Sequence, residues 1–151
     1  MLKGINPLLG PDLLKVLAEM GHGDEIVLAD ANFTAASLGR DKPVIQMPGV
    51  GVAALAEAVL SLFPLDQYVE QPCAFMHVGG QAPDYRSGLQ REVIAAAVSA
   101  GHAQDAQFEA MERFAFYDRV RNAFAIVQTG ELQAYANFLF KKGVIAEPLR
   151  P

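Results

Sequence analysis

Two short segments carry side chains whose types and spacing could do chemistry. His22 stands between Gly21 and Gly23. An imidazole titrates near neutral pH and can give or take a proton, and flanking glycines let backbone and ligand approach it closely. The same histidine could instead cap a helix or sit solvated in a loop. A few residues on, Asp30, Asn32 and Phe33 bring a carboxylate, an amide and an aromatic ring together. Such a trio can hold hydroxyl groups and an apolar ring face, although an aspartate there also closes a strand as an Asx turn. His77 and His102 have weaker surroundings, one ending a strand and the other following a helix stop, and read as structural. Cys73 reads as a small buried strand residue.

Other chemistries lack their motifs. His22, Asp24 and Asp30 do not have the i,i+4 or CxxC spacing of a metal site, and no phosphate loop, dinucleotide fingerprint or GxSxG elbow occurs. Gly49-Val50-Gly51 is too short and continues wrongly for a dinucleotide site. No metal or cofactor is therefore expected. The formal net charge of -5 and a pI near 5.1 argue against nucleic acid, because phosphate binding is driven by clustered Lys and Arg. The small basic group Arg113, Arg119, Arg121, Lys141 and Lys142 is balanced by Glu112, Asp118 and Glu131 and reads mostly as solvated surface.

These side chains need a scaffold, and 151 residues are enough for one domain that buries roughly two thirds of its unfolded surface. Residues 1–151 are expected to form that single domain. Hydrophobic residues make up 52% of the chain and mean hydropathy is +0.18, high enough to expect apolar surface buried between subunits. The longest apolar run, Val52 to Phe63, contains Glu57 and falls short of the ~20 residues that span a bilayer. No membrane partner is expected. The start of the chain does not read as a signal peptide, and a lone cysteine agrees with a reducing compartment, so the expected location is the cytoplasm.

Patterning predicts the positioning elements. Pro11 after Gly10, with Leu13, Leu14, Leu17 and Met20 at helical spacing, starts a helix that Gly21 stops. Glu25 to Asp30 is β-rich and apolar on both faces, as in a central strand. Strands follow at Val44–Met47, Cys73–Val78, Phe108–Glu112, Phe124–Gln128 and Ala136–Phe140, and helices at Val52–Phe63, Leu89–Ala100 and Phe114–Asn122. Gly79 to Ser87 is a surface loop and Thr129-Gly130-Glu131 a turn. Alternating strands and helices predict an α/β fold with a mostly parallel sheet covered by helices on both faces.

The segment Met20 to Phe33, MGHGDEIVLADANF, resembles the opening signature of the L-fucose mutarotase family, whose sister branch is D-ribose pyranase. Glu112 to Arg119 resembles the fucose branch specifically. Thr129-Gly130-Glu131, Tyr135-Ala136-Asn137 and Lys142-Gly143-Val144 resemble the shared C-terminal signature, so the similarity runs from Leu2 to Val144. Thr34, Ala136 and residues 40–51 depart from the family pattern. The resemblance implies a three-layer α/β fold and a cofactor-free isomerase that interconverts the anomers of a free monosaccharide, fucose in preference to ribose. It implies His22 as proton donor, Asp30 as a ligand of sugar hydroxyls, and further contacts from Tyr135 and Asn137. It also puts Arg113 and Tyr117 at the sugar and aligns Asp66 and Met76 with positions used by animal members. Tyr117 or Asp66 is then the proton-transfer partner of His22.

Mutarotation needs one proton removed from the anomeric hydroxyl and one delivered to the ring oxygen, which is paired acid and base work. His22 and Asp30 lie eight positions apart, up to ~26 Å in an extended chain at ~3.3 Å per residue. Either the chain bends sharply at Gly21 and Gly23 or the site is shared between chains. The resemblance implies homo-oligomers, so Tyr135 and Asn137 of one chain are expected to complete the His22 pocket of the next.

Overall fold

The apolar residues that alternate along the strands are divided between two cores, one on each side of a single sheet. A computed structural model describes residues 1–148 and Arg150. Strands β1 (Glu25–Ala29), β2 (Val44–Met47), β3 (Cys73–Met76), β4 (Phe108–Met111), β5 (Ala125–Thr129) and β6 (Phe138–Lys141) form the sheet in the order β2-β5-β1-β6-β3-β4. The pairings β2–β5, β5–β1 and β3–β4 are parallel, while β6 runs antiparallel between β1 and β3. Its register sets Leu28 opposite Phe138 and Glu25 opposite Lys141.

Helices α1 (Pro11–Glu19), α3 (Val52–Leu60) and α4 (Gly88–Ser99) cover one face, packing Leu13, Val16, Leu55, Val59 and Val93 with Ile26, Leu28, Phe75 and Phe138. The short α2 (Ala35–Leu38) and α5 (Arg113–Arg121) cover the other, where Phe33, Phe116 and Val120 meet Val27, Ala74, Met76 and Leu139. Successive residues of β1 and β3 thus enter opposite cores, as the pleat requires. The result is the three-layer α/β arrangement with a mostly parallel sheet that the sequence predicts.

Local chemistry explains the element ends. Pro11 occupies the first turn of α1, where its missing N–H costs nothing. Ser87 and Gln90 form a reciprocal capping box at the start of α4. The carboxylate of Glu112 accepts the N–H groups of Phe114 and Ala115 at the start of α5. The strand boundaries near Phe124 and Ala136 lie one or two residues later than the sequence predicts. Two elements are absent from the sequence reading, α2 and a 3-10 turn at Asp105–Gln107. Both are too short to carry a full period of apolar residues.

The basic group is not mostly solvated surface. Arg119 is largely buried, donates twice to Glu25 through Nε and once through Nη2, and reaches Glu109 at 2.7 Å. Lys142 donates to the carbonyls of Leu17 and Met20 at the C-terminal end of α1. These contacts satisfy helix-end carbonyls and anchor α5 to β1. Arg113 and Arg121 are exposed, as read. Cys73 is buried, and burial pushes its thiol up to about 12. Among the described residues, no helix is long and apolar enough to cross a membrane.

Candidate functional site

The antiparallel entry of β6 builds a small polar cavity. Because β6 starts where β1 ends, Asn137, just before β6, lies against Asp30, just after β1. Asn137 Nδ2 donates to Asp30 Oδ2 at 3.0 Å, and the Asp30 N–H donates to Asn137 Oδ1 at 2.9 Å. Asp30 Oδ1 accepts the Asn32 N–H at 2.9 Å, so the carboxylate closes an Asx turn as well as facing the cavity. The Asx turn is therefore present, and it leaves the carboxylate in the cavity lining. Burial lifts its carboxyl above the ordinary aspartate range, although the bonds from Asn32 and Asn137 pull the other way.

Four more elements complete the wall. Met76 ends β3, donates its N–H to the Asn137 carbonyl and brings its sulfur within 3.8 Å of Asn137 Nδ2. Arg113 and Tyr117, one turn apart on α5, are joined by Arg113 Nε donating to Tyr117 Oη at 3.0 Å. Phe33 packs edge-on against the Tyr117 ring at 5.5 Å between centroids. Tyr135 has φ 63°, a left-handed backbone that costs a tyrosine of order 1 kcal/mol or more. The cavity lined by Asp30, Asn32, Phe33, Met76, Arg113, Tyr117, Ala134, Tyr135 and Asn137 has a volume of about 220 Å³. That is below the ~300–1,000 Å³ of sites for drug-sized ligands. Its mixture of carboxylate, amides, guanidinium, phenols and one aromatic face suits a small neutral polyol.

His22 and Asp66 lie elsewhere. They meet each other at the opposite end of β1, where His22 Nε2 and Asp66 Oδ1 are 3.1 Å apart. Gly23, with φ +87°, turns the chain into β1, and its N–H donates to the Lys142 carbonyl. Asp66 is held by its own N–H on the Lys141 carbonyl and by the bridge between Leu65 and Lys142. The Cβ that Gly143 lacks would lie 2.3 Å from the Leu65 carbonyl oxygen, so only glycine permits this crossing. Burial favours the neutral carboxyl of Asp66, but the Tyr68 N–H and His22 outweigh it and hold the group below its ordinary value. The exposed Tyr68 ring stands 5.5 Å from the imidazole.

The residues named from the sequence therefore form two groups. Asp30, Met76, Arg113, Tyr117, Tyr135 and Asn137 share one cavity, while His22 and Asp66 form a pair roughly a strand length away, ~16 Å for the five residues of β1. The first of the two possibilities, a sharp bend at Gly21 and Gly23, does not bring His22 to Asp30. His77 lies just past the end of β3 with Nε2 2.8 Å from the Ala82 carbonyl, and the His102 N–H caps α4 on the Ala97 carbonyl. Phe116 is core, whereas Phe114 is exposed and packs edge-on against Tyr117. Sequence reasoning missed Tyr68, Lys142 and Gln90 as supports. The Ser87-x-x-Gln90 capping pattern was available, but it points to a helix start and not to a cavity. Among the described residues, no group of three or more His, Cys, Asp or Glu side chains is arranged to hold a metal ion.

The chain is similar to known proteins over nearly its whole length. It is 50% identical over 145 residues to the L-fucose mutarotase of Actinobacillus pleuropneumoniae serotype 5b, covering 95% of this chain and 97% of that one. It is 46% identical to the fucose mutarotase of Homo sapiens, covering 96% and 95% respectively. The crystal structure of the fucose mutarotase from Streptococcus pneumoniae in complex with L-fucose superposes with a TM-score of 0.85 at 42% identity, covering 96% of this chain and all of that one. Residues 3–145 match the model of the RbsD / FucU transport protein family, and the chain belongs to that family.

Proposed function

We propose that this protein is an L-fucose mutarotase, a cofactor-free isomerase that interconverts the α and β anomers of the free sugar. The observation that carries the reading is the small cavity built around the Asp30–Asn137 pair, in a chain similar end to end to proteins of that name. Residues 1–151 act as one mutarotase domain working in the cytoplasm, with no nucleic-acid or membrane partner.

Asp30 and Asn137 hold sugar hydroxyls, Arg113 and Tyr135 contribute further polar contacts, and Met76 and Phe33 offer the apolar wall. The active unit is a homo-oligomer in which the His22–Asp66 pair of one subunit closes over the Asp30 cavity of a neighbour. The separation of the two groups within a chain supports this, because one monosaccharide cannot reach both.

His22 delivers a proton to the ring oxygen while the C1–O5 bond breaks. A base takes the proton of the anomeric hydroxyl, and C1 becomes an aldehyde carbon. Rotation about C1–C2 and reversal of both transfers close the ring on the other face, with no net change in protons or electrons. Asp66 orients the imidazole, while Tyr117, held by the hydrogen bond from the Arg113 guanidinium, is placed to exchange the second proton. Each positioned acid or base contributes ~10²- to 10⁴-fold.

Saturation-transfer NMR on fucose and ribose, with and without protein, tests the reading. Fucose anomer exchange should accelerate more than ribose exchange, and His22→Ala should lose ~10²-fold or more while remaining folded. Faster ribose exchange would favour the sister activity, and binding without acceleration would favour a sugar-binding protein.

A further inference from the structure

The polar wall of the cavity is anchored from the far side of the sheet. Gln90 sits on α4, a helix of the opposite layer, and is completely buried. Its Nε2 donates to the Met76 carbonyl at 2.8 Å and to the Tyr135 carbonyl at 3.1 Å, and its Oε1 accepts the Ser87 N–H at 2.9 Å. Both amide hydrogens are thus committed to backbone carbonyls of residues that line the cavity.

The two anchored positions both need holding. Tyr135 is the only non-glycine residue with positive φ among the described residues, a conformation that persists only where its surroundings over-determine it. Gly79 supplies the second constraint: a Cβ there would lie 3.0 Å from Tyr135 Oη, so the glycine leaves room for the phenol. A third tie comes from Gln133, whose Nε2 donates to Ser87 Oγ at 3.0 Å. Met76 in turn donates its N–H to the carbonyl of Asn137. One side-chain amide therefore connects the end of β3 to the 133–137 segment.

An apolar side chain of equal size would fill the same space. Only a donor pair can satisfy the two carbonyls, and a buried polar group is costly unless all its bonds are made. We infer that Gln90 is a positioning residue for the sugar site: it acts through Tyr135 and Met76, fixing the left-handed turn that aims the Tyr135 ring and holding the wall beside Asn137. The inference rests on reading this cavity as the sugar site. Gln90 touches no sugar itself, and the His22–Asp66 pair at the other end of β1 is outside its reach.

The test compares Gln90→Met with Val93→Ala, a core truncation on the same helix that lowers stability without touching the cavity. Gln90→Glu is the second variant should Gln90→Met fail to fold, since it keeps an acceptor for the Ser87 N–H and removes the amide hydrogens. Two quantities are read at a temperature where every variant is folded: KM and kcat of fucose anomer exchange, and the ring resonances of ¹³C-labelled tyrosine, of which the chain has only four. The Gln90 variant should raise KM about tenfold with kcat changed by no more than about twofold, the scale of one or two lost hydrogen bonds. Its Tyr135 resonance should move in the sugar-free protein, while Val93→Ala moves neither. Wild-type KM with an unmoved Tyr135 resonance, or the same KM shift in Val93→Ala, overturns the inference. If the wild-type protein exchanges no fucose anomers, the mutarotase reading fails, and the Tyr135 resonance alone still decides whether Gln90 positions it.

Discussion

Asn137 and Asp30 are joined head to tail: the amide of one residue donates to the carboxylate of the other and accepts its backbone N–H, at 3.0 and 2.9 Å. The pair is possible only because β6 enters the sheet antiparallel beside β1, which puts residues 107 positions apart at one strand end. It leaves a buried carboxylate, held above its ordinary protonation range chiefly by burial, at the wall of a 220 Å³ cavity.

Asp30→Asn should separate binding from stability. The carboxylate is unfavourably desolvated in the empty fold, so neutralising it removes that penalty, while one amide hydrogen now faces the donors of Asn32 or Asn137. These effects oppose each other, and the melting temperature should shift by only a few degrees. Fucose affinity should fall about tenfold or more, since a charged acceptor of hydroxyl bonds is lost. In the wild-type protein, affinity should also fall with acidification, beginning above the ordinary carboxylate value of 3.8 because the folded group protonates early. Calorimetric titration across pH reads both effects. Unchanged affinity with a large loss of melting temperature would leave Asp30 as only an Asx turn.

Asp66→Asn should produce the opposite pH signature, in stability. His22 Nε2 and the Tyr68 N–H both meet the same oxygen, Oδ1, which an asparagine retains, so the substitution chiefly removes charge. A carboxyl held below its ordinary value stabilises the fold above the unfolded value of about 3.9, and that contribution disappears as pH falls through the lower folded value. With His22 about half exposed, the loss near neutral pH should be small, about 0.5–1 kcal/mol. Urea denaturation from pH 7 down to 2.5 should show wild type and variant converging at the acid end. A constant gap at every pH would mean that packing, not charge, is affected.

Gly143→Ala tests the crossing that holds Asp66. The new methyl would meet the Leu65 carbonyl oxygen at 2.3 Å and the Asp66 Cα at 2.9 Å, contacts that backbone must relieve. Stability should fall by about 1–3 kcal/mol, and Asp66 should move off His22. Anomer exchange should then drop while fucose affinity at the remote Asp30 cavity of the same chain is affected less. Loss of affinity with intact turnover would place Gly143 in the wrong half of the site.

The sheet was legible where residues alternate or run apolar over several positions, as in Glu25–Ala29 and Cys73–Met76, because burial on both faces needs such runs. The four residues of α2 were not, since a single turn has no period to detect. Charge balance alone could not show that Arg119 pairs with Glu25, 94 residues away. Asp30, Asn32 and Phe33 were legible as a carboxylate, an amide and a ring at one strand end, whereas Met76, Arg113, Tyr117, Tyr135 and Asn137 came from family resemblance; their convergence depends on the direction of β6, which no local pattern encodes. Gln90 was invisible for the same reason: a glutamine at the third position of a helix reads as a cap partner until the carbonyls behind it are seen.

The shared site makes the sharpest prediction. His22 and Asp66 cannot meet a sugar held by Asp30 and Asn137 in the same chain, because all of β1 lies between them. In a closed oligomer each complete site would take its His22 from one subunit and its Asn137 from a neighbour. His22→Ala and Asn137→Ala homo-oligomers should each be nearly inactive. After dissociation and reassembly at equal ratio, each position of a site is intact by chance half the time, so on the order of a quarter of sites should recover both residues. Anomer exchange of the mixture, with hetero-oligomer formation verified by mass spectrometry, should rise from baseline to roughly that fraction of wild-type activity. A double variant carrying both substitutions, mixed with wild type, controls for subunit exchange. If verified mixed oligomers of the two single variants stay at baseline, each site draws both residues from one chain by a rearrangement of β1, and the shared site is wrong.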